Sequence, residues 1–263
     1  MSEPAEFAAM DRERLRRLRS RGLEIRHVFD VGASNGAWSV QVAEDFPEAR
    51  FDLFEPMIDR VPEYARVMEH TLAGHPYFHL HKVALDERSG DAKFLLYPDN
   101  PAGSTGLNLR DLPEGATRLE VATMTLDGAI DRFQLGVPQL IKMDTQGCEL
   151  AILKGATRAL PQVDVLLLET WLIRGYGETT PLFLEVADWL ADFHFYPYDF
   201  SDGWRDPDGN PVAQDVFFLN ARSHVSRLQQ EVVGHPPEPP TELPVAVPVA
   251  PPRNWFRRLL SRS

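Results

Sequence analysis

The sequence predicts an α/β fold with a doubly wound, mostly parallel sheet that closes on an antiparallel pair of strands. Short apolar runs typical of buried strands alternate with helical segments from residue 27 to residue 193, which favours parallel strands joined by crossover helices. The last two strand-like runs, FHFYPYDF (193–200) and VAQDVFFLN (212–220), are joined by a short connection that contains the turn DPDGNP. So short a connection favours antiparallel pairing.

The strands of this sheet are predicted from apolar runs bounded by polar or acidic residues. They cover residues 27–32, 50–56, 77–85, 139–144 and 163–170. Helices are predicted where apolar residues recur at helical spacing. They cover residues 6–20, 36–46, 58–71, 148–160 and 180–193. Residues 91–97 and 119–125 are predicted to form additional short strands.

Composition divides the chain into four segments. Residues 1–24 are rich in arginine and predict an N-terminal helix, whereas residues 25–222 hold the alternating strands and helices of a domain. Residues 223–253 are rich in proline and predict a semi-extended linker. Residues 254–263 mix aromatic, leucine and arginine side chains, which is typical of a basic amphipathic tail that contacts an anionic membrane surface or a partner protein.

Charge and cysteine content limit the partners and the compartment. The chain of 263 residues has a net charge of −12, so it lacks the positive charge that drives nucleic-acid binding. Cys148 is the single cysteine, which excludes an intrachain disulfide and a cysteine-rich zinc site. We therefore expect no nucleic-acid partner, no metal site and a cytoplasmic protein, with peripheral contact at the inner membrane through the tail.

The segment VFDVGASNGAWS (28–39) predicts a strand, a glycine-rich turn and a helix that bind a nucleotide-like cofactor. The dinucleotide motif G-x-G-x-x-G would require glycine at position 34, where this chain has Ser34. The pattern here is acidic-x-Gly-x-x-x-Gly, formed by Asp30, Gly32 and Gly36. It suits S-adenosylmethionine, which carries no phosphate.

Acidic residues end three successive predicted strands: Asp30, Glu55 and Asp86. The carboxyl ends of parallel strands meet at one edge of the sheet, where doubly wound proteins bind ligands. Glu55 is placed to accept hydrogen bonds from both ribose hydroxyls, and Asp86 could accept one from the adenine amino group. NAD enzymes also have an acid at the position of Glu55, so this residue alone does not separate the two cofactors.

Six motifs follow one another along residues 25–220: VFDVGASNGAWS, FEP, VALDERSG, the TLD of MTLDGAI, LIKMDTQGCELAILKGA and LLLET. In this order they strongly resemble the FkbM family of S-adenosylmethionine-dependent methyltransferases, and IKMDTQGCELAILKGA is the most specific of them. The resemblance implies a class I methyltransferase fold, which is a Rossmann-like three-layer sandwich. Its sheet has seven mostly parallel strands, of which the last is antiparallel.

The resemblance also implies a set of cofactor-binding residues. These are Asp30, Gly32, Ser34, Asn35, Gly36, Glu55, Asp86 and Asp144. Asp30 and the glycine turn after the first strand would hold the amino acid portion of the cofactor. Glu55 would hold its ribose, Asp86 would lie near its adenine, and Asp144 would face the methyl-transfer centre. Ser34 and Asn35 depart from the family, which more often has asparagine followed by a small apolar residue.

Methyl transfer to an alcohol needs a group that accepts the hydroxyl proton as the oxygen attacks. Asp144 is the first candidate for this base, with cofactor positioning as its alternative role. Glu169 is the second, because it follows four apolar residues and burial there would raise its pKa. The small, polar segment 98–111 is the candidate substrate loop. Its candidate substrate contacts are Ser104, Asn108 and Arg110.

The sequence therefore favours an S-adenosylmethionine-dependent O-methyltransferase. The resemblance implies that its acceptor is a hydroxyl of a sugar, a glycan or a small natural product. An NAD-dependent oxidoreductase is one alternative, against which Ser34 and the closing antiparallel strands argue. A non-catalytic cofactor-binding module that acts through its tail is the other, and an assay of turnover would distinguish it.

Overall fold

A computed structural model describes residues 4–97, 101–106, 115–201 and 203–223. The chain divides into two units, Met1–Gln229 and Gln230–Ser263, and all the described residues belong to the first. The predicted tail and all but the first residue of the predicted linker lie outside the described residues. So do two of the candidate substrate contacts, Asn108 and Arg110.

The described residues form eleven strands and six α-helices. The strands are β1 (His27–Val31), β2 (Arg50–Phe54), β3 (Phe78–His81), β4 (Ala84–Leu85), β5 (Gly90–Leu96), β6 (Thr117–Met124), β7 (Leu140–Met143), β8 (Val165–Trp171), β9 (Phe195–Phe200), β10 (Trp204–Arg205) and β11 (Pro211–Asn220). The helices are α1 (Pro4–Ser20), α2 (Ala37–Ala43), α3 (Pro62–Gly74), α4 (Leu126–Phe133), α5 (Glu149–Lys154) and α6 (Phe183–Ala191). The sequence patterns do not predict α4 and β10, which are both short.

The main sheet has eight strands in the order β10-β11-β8-β7-β1-β2-β3, and β9 also pairs with β11. The central strands β8, β7, β1, β2 and β3 are parallel. Strand β11 runs antiparallel to β8, β9 and β10. This order confirms the predicted doubly wound sheet with an antiparallel last strand. The two-residue strand β10 is the addition to the seven strands expected.

The prediction of one continuous third strand over 77–85 is wrong, because this segment is divided between two sheets. β3 ends at His81, whose carbonyl oxygen accepts a hydrogen bond from the Val83 N–H at 2.9 Å in a tight turn. β4 then pairs with β6 in a second sheet of order β4-β6-β5. β5 and β6 are the two additional strands predicted. Apolar alternation continues through the turn, so it does not reveal the change of sheet.

Helices cover both faces of the main sheet and give the three predicted layers. One core cluster joins α1, α2 and α3 to the sheet, and its helix residues include Leu15, Leu18, Val42 and Met68. The other joins α4, α5 and α6 to the opposite face, and its helix residues include Leu126, Ile130, Ile152, Leu153 and Leu190. Within the described ranges, no helix is long and apolar enough to cross a membrane.

The arginine-rich helix α1 packs against the domain. Leu15 and Leu18 are fully buried. The Nε atoms of Arg12 and Arg16 each lie 2.7 Å from a carboxylate oxygen of Asp45, just beyond the end of α2. The arginines of α1 thus hold this helix beside α2, on the face of the sheet that carries the first core cluster.

Candidate functional site

The turn between β1 and α2 brings its backbone close to the loop that follows β7. Gly32 has a φ of +77°, and a Cβ atom there would overlap the backbone carbonyl oxygen of Asp144. Gly36 has a φ of +81° and caps the N-terminus of α2. Ser34 also adopts the left-handed conformation, and the Asn35 side chain accepts a hydrogen bond from the first N–H of α2 at 3.1 Å. Only glycine fits at position 32 without displacing the loop.

Glu55 directly follows β2 and is buried. One carboxylate oxygen accepts a hydrogen bond from the Ser34 N–H and the other from the Met57 N–H, each at 2.8 Å. Burial raises the pKa of Glu55 to about 7, although these two bonds act in the opposite direction. Each carboxylate oxygen can accept a further bond. Glu55 can therefore hold the glycine turn and bind a ligand hydroxyl together.

A cavity opens between the main sheet and the small sheet at the carboxyl ends of β1, β2 and β7. Four of the eight predicted cofactor residues line it: Gly32, Ser34, Glu55 and Asp144. The candidate substrate contact Ser104 also lines it. Its apolar wall includes Val31, Phe54, Val83, Leu85, Phe94 and Ile152. The structure thus brings together residues from segments far apart in the sequence.

Asp86 lies beside this cavity and is not one of its lining residues. It follows β4, where its N–H donates to the Met124 carbonyl oxygen at 3.0 Å and its carboxylate accepts the N–H of Glu87 at 2.7 Å. Val83 and Leu85, from the same segment, line the wall instead. The sequence does not reveal this apolar wall, because Val83 and Leu85 have the pattern of ordinary core residues.

Asp30 lies in β1, is fully buried and does not line the cavity. Its carboxylate accepts a hydrogen bond from the Ser39 hydroxyl at 2.6 Å and lies 3.5 Å from Lys142 Nζ. Lys142 Nζ is also 3.5 Å from Asp144 Oδ2. Burial disfavours the charge on Lys142, but Asp30 and Asp144 outweigh burial and raise the pKa of Lys142. Lys142 therefore connects the first strand end to Asp144.

Asp144 follows β7, and the structure places this catalytic candidate on the cavity wall with Glu55. Its side chain is 42% exposed, and Oδ1 accepts a hydrogen bond from Gln146 Nε2 at 2.8 Å. Gln146 Oε1 accepts in turn from the Tyr176 hydroxyl at 2.6 Å. These two bonds orient the carboxylate. The position of Gln146 within the most specific motif is the sequence signal for its role.

Glu149, in the same motif, is buried and shapes the loop that carries Asp144. Its Oε1 atom accepts bonds from the Thr145 N–H at 2.8 Å and the Thr145 hydroxyl at 2.9 Å. Burial raises the pKa of Glu149 to about 7. The acid at this place in the motif thus supports the backbone of the loop.

Residues 101–106 join the small sheet to the loop after β7. The Thr105 hydroxyl donates to the Gln146 carbonyl oxygen at 2.7 Å, and Thr105 also forms a bridge with Leu95 of β5. Ser104 accepts a hydrogen bond from the Tyr97 N–H at 3.2 Å. These contacts hold the described part of the candidate substrate loop against the cavity.

Glu169 lies in β8 and does not line the cavity, in contrast to Asp144. It is paired in register with Asp215 of β11. Its Oε2 atom is buried and has no hydrogen-bond partner among the described residues. Burial, together with the charges of Asp144 and Glu149, raises the pKa of Glu169 well above its ordinary value. The sequence gives no sign of a role for Asp215, because only the pairing of β8 with β11 brings it to Glu169.

Comparison with known proteins identifies the family. The sequence profile of the Methyltransferase FkbM domain matches residues 30–197. No curated protein matches the chain significantly.

Several solved structures are similar to this one. One is Methyltransferase FkbM from Methylobacillus flagellatus KT, which is 18% identical in sequence and has a TM-score of 0.49. The alignment covers 75% of this chain and 46% of that chain. The precorrin-6y C5,15-methyltransferase from Geobacter metallireducens GS-15 has 12% identity, covers 83% and 90% of the two chains, and has a TM-score of 0.43. A SAM-dependent methyltransferase from Aquifex aeolicus has 12% identity, coverage of 83% and 94%, and a TM-score of 0.41.

This chain spans less than half the length of the Methylobacillus protein. The profile match, in contrast, covers well over half of this chain and includes the end of β1 and all of β2, β7 and β8, with the site residues at these places. The chain therefore belongs to the FkbM methyltransferase family.

Proposed function

We propose that this methyltransferase uses S-adenosylmethionine to methylate a hydroxyl group of a sugar, a glycan or a small natural product. The observation that carries the proposal is that Glu55 and Asp144 line one cavity at the carboxyl edge of the main sheet. A carboxylate suited to ribose hydroxyls and a carboxylate suited to accept a proton thus share one site. The match to the FkbM family supports methyl transfer as the reaction.

The lining residues fit this cofactor in charge and in shape. Glu55 supplies acceptor oxygens for ribose hydroxyls, and the glycine at position 32 lets the turn lie against the Asp144 loop at the cavity wall. Val83, Leu85 and Phe94 offer an apolar wall for a purine ring. A pyrophosphate favours lysine or arginine side chains, and the described lining residues include neither. These features favour S-adenosylmethionine over NAD.

The Asp144 carboxylate would accept the proton of the acceptor hydroxyl as the new oxygen–carbon bond forms. When bound, the cofactor would supply the methyl group from a positively charged sulfur. Gln146 would hold the carboxylate in place, and Lys142 would offset its negative charge until the proton arrives. Glu169 is set back from the cavity, so we assign the proton transfer to Asp144 and place Glu169 on the acceptor side.

Methyl transfer from isotope-labelled S-adenosylmethionine to a panel of sugars and hydroxylated natural products tests this proposal. We expect the label in a new methyl ether. Asp144→Asn should lower kcat by about 10²- to 10⁴-fold and change the KM for the cofactor by no more than about twofold, because the amide cannot accept the proton. Asp188→Asn, an exposed aspartate of α6, is the matched control and should keep full activity.

Two results would contradict the proposal. A label found on nitrogen or carbon would exclude O-methylation, and an unchanged kcat for Asp144→Asn would exclude this base. Cofactor binding without turnover on any acceptor would favour the non-catalytic binding module.

A further inference from the structure

Two adjacent rows of side chains lie on one face of the main sheet near its β11 side. In the first, the acidic row, Glu169 of β8 is paired with Asp215 of β11. In the second, the aromatic row, Trp171 of β8 is paired with Ala213 of β11, which also faces Trp204 of β10. The two rows are two residues apart along β8 and β11, so their side chains share a face. The small Ala213 side chain lies between the two tryptophans and lets their indoles meet edge to face.

These rows lie on the far side of Asp144 from Glu55. The strands that carry them follow the order β2-β1-β7-β8-β11. Neighbouring strands are about 4.8 Å apart, so β11 lies about 19 Å from β2 across the sheet. Asp144, after β7, lies between them. A group that extends from Asp144 away from the Glu55 side therefore meets the acidic row.

Five buried side-chain polar atoms of the described residues have no hydrogen-bond partner, and three of the five lie in the two rows or on the helix beside them. They are Glu169 Oε2, Trp171 Nε1 and Asp11 Oδ1. Trp171 and Asp11 are each only 2% exposed. Buried polar atoms are nearly always paired in folded proteins, so a group of unpaired ones points to a ligand. Two of the three are carboxylate oxygens, each of which can accept a hydrogen bond from a ligand.

The charge around the acidic row supports the same conclusion. In the described ranges neither Glu169 nor Asp215 forms an ion pair, and the nearby Lys142 lies 3.5 Å from both Asp30 and Asp144, which share its charge. Burial, followed by the charge of Asp11, raises the pKa of Asp215 to about 8. A cationic group bound between Glu169 and Asp215 would offset the repulsion between these neighbouring acids when they ionise.

The aromatic row offers a surface for a ring. The Trp171 indole packs edge-to-face against Trp204, with centroids 5.9 Å apart, and against Tyr176 at 5.0 Å. Trp204 is 49% exposed although it adjoins the buried core. An exposed indole beside carboxylates can stack on the apolar face of a sugar ring and attract a cation to its own face.

From this arrangement we propose that the acceptor is a hydroxylated ring that carries an amino group, such as an amino sugar. The Glu169–Asp215 pair receives its ammonium group, and its ring stacks on Trp204. The inference rests on the proposed function, because the ring would present its hydroxyl to Asp144. An ammonium group would stabilise the ionised form of this buried acidic pair, which neither a neutral sugar nor an anionic acceptor can do.

Binding of methyl glucosides to the full chain in the presence of S-adenosylhomocysteine tests this inference. The probes carry a single amino group at C2, C3 or C6, and methyl glucoside is the neutral match. In titrations monitored by saturation-transfer NMR at pH 7, at least one amino glucoside should bind about tenfold more tightly than methyl glucoside. Asp215→Asn and Glu169→Gln should each reduce this preference to about twofold or less, whereas Asp188→Asn should keep it.

A variant outside the acidic row gives a second readout. Trp204→Leu, at an exposed position, should weaken binding of the amino glucoside and of methyl glucoside by about fivefold or more. S-adenosylhomocysteine binding by each variant shows that it is folded.

Equal binding of amino and neutral glucosides to the wild type, or a preference that survives both acidic-row substitutions, would overturn the inference and leave the proposed function standing. Failure of the wild type to bind S-adenosylhomocysteine would overturn the proposed function together with the inference.

Discussion

Gly32 is the residue at which sequence, backbone and site are most directly connected. The sequence predicts a glycine turn there, and the structure gives the reason: a positive φ and an approach to the Asp144 carbonyl oxygen that leaves no room for Cβ. The same contact positions the loop of the proposed base. A side chain at this position should therefore affect both the fold and the site.

Gly32→Ala is expected to lower the free energy of unfolding by about 1–3 kcal/mol and the affinity for S-adenosylmethionine by about tenfold or more. Urea unfolding and calorimetry measure the two effects. Gly74→Ala is the control, because a Cβ at the end of α3 meets no atom within 4 Å. Equal stability and affinity of the two variants would show that the close approach at Gly32 does not matter.

Some of the predicted cofactor residues owe their place beside the cavity to a strand end. Gly32, Glu55 and Asp144 belong to this group, and all three line the cavity. Asp86 also follows a strand, but that strand belongs to the small sheet, so the residue lies beside the cavity instead. Position after a strand thus predicts a site only when the strand belongs to the main sheet.

At the scale of elements, a buried ionic network joins the first three strands. Asp52 of β2 is fully buried and accepts bonds from His27 Nε2 at 2.6 Å, His81 Nε2 at 2.7 Å and Arg50 Nε at 2.7 Å. Burial alone would raise the pKa of Asp52, but these bonds outweigh it and hold the pKa far below the ordinary value of 3.8. The network binds β1 and β3 to β2.

Asp52→Asn is expected to lower the free energy of unfolding by about 2 kcal/mol at pH 7, because the amide leaves Arg50 without its carboxylate and has one acceptor oxygen where the carboxylate has two. The lowered pKa means that ionised Asp52 stabilises the fold above about pH 4 and that this stabilisation is lost as pH falls further. Denaturant unfolding from pH 7 to pH 3 should show the gap between wild type and variant closing.

Asp59→Asn is the control, since Asp59 pairs with Lys82 in an exposed pair and its loss should cost less than about 0.5 kcal/mol. A gap that stays constant down to pH 3 would show that the charge of Asp52 is not the source of its effect.

The elements themselves differ in how far the sequence predicts them. Apolar runs predict β1, β2, β7 and β8 because these strands are buried on both faces and have no competing pattern. The split of segment 77–85 depends on a turn between His81 and Val83 that contains neither glycine nor proline. Sheet membership there is a tertiary property, which local patterns do not contain.

Over the whole molecule, buried acids make stability depend on pH in the neutral range. Burial raises the pKa of Glu55 and Glu149 to about 7 and that of Asp215 to about 8. Between the ordinary values of these groups and their raised values, the folded state binds more protons than the unfolded state. Stability of the ligand-free protein should therefore fall as pH rises from about 5 to 8.

Glu149→Gln isolates one of these groups, because the amide oxygen can still accept the bonds from Thr145. We expect this variant to be more stable than the wild type at pH 8 by about 1–3 kcal/mol, with the difference vanishing near pH 5. Melting temperatures measured across this range test the expectation. A parallel pH dependence in the two proteins would show that Glu149 does not titrate as its burial implies.

The acidic row also shows what sequence patterns do not reach at this scale. More than 150 positions separate Asp11 of α1 from Glu169 of β8, and 46 positions separate Glu169 from Asp215 of β11. The packing of α1 and the pairing of β8 with β11 nevertheless bring the three acids close enough to interact. The sequence predicts burial for Glu169 alone and gives no sign that Asp11 and Asp215 lie near it. Their juxtaposition becomes visible only in the folded chain.

The central claim is that the cavity lined by Glu55 and Asp144 binds S-adenosylmethionine. Calorimetric titration of S-adenosylmethionine and, separately, of NAD into the wild type, Glu55→Ala and Glu69→Ala tests it most directly; Glu69 is an exposed glutamate of α3. We predict that only S-adenosylmethionine binds, that Glu55→Ala weakens it about ten- to a hundredfold, and that Glu69→Ala has no effect. Binding of NAD alone, or equal affinity in both variants, would contradict the claim.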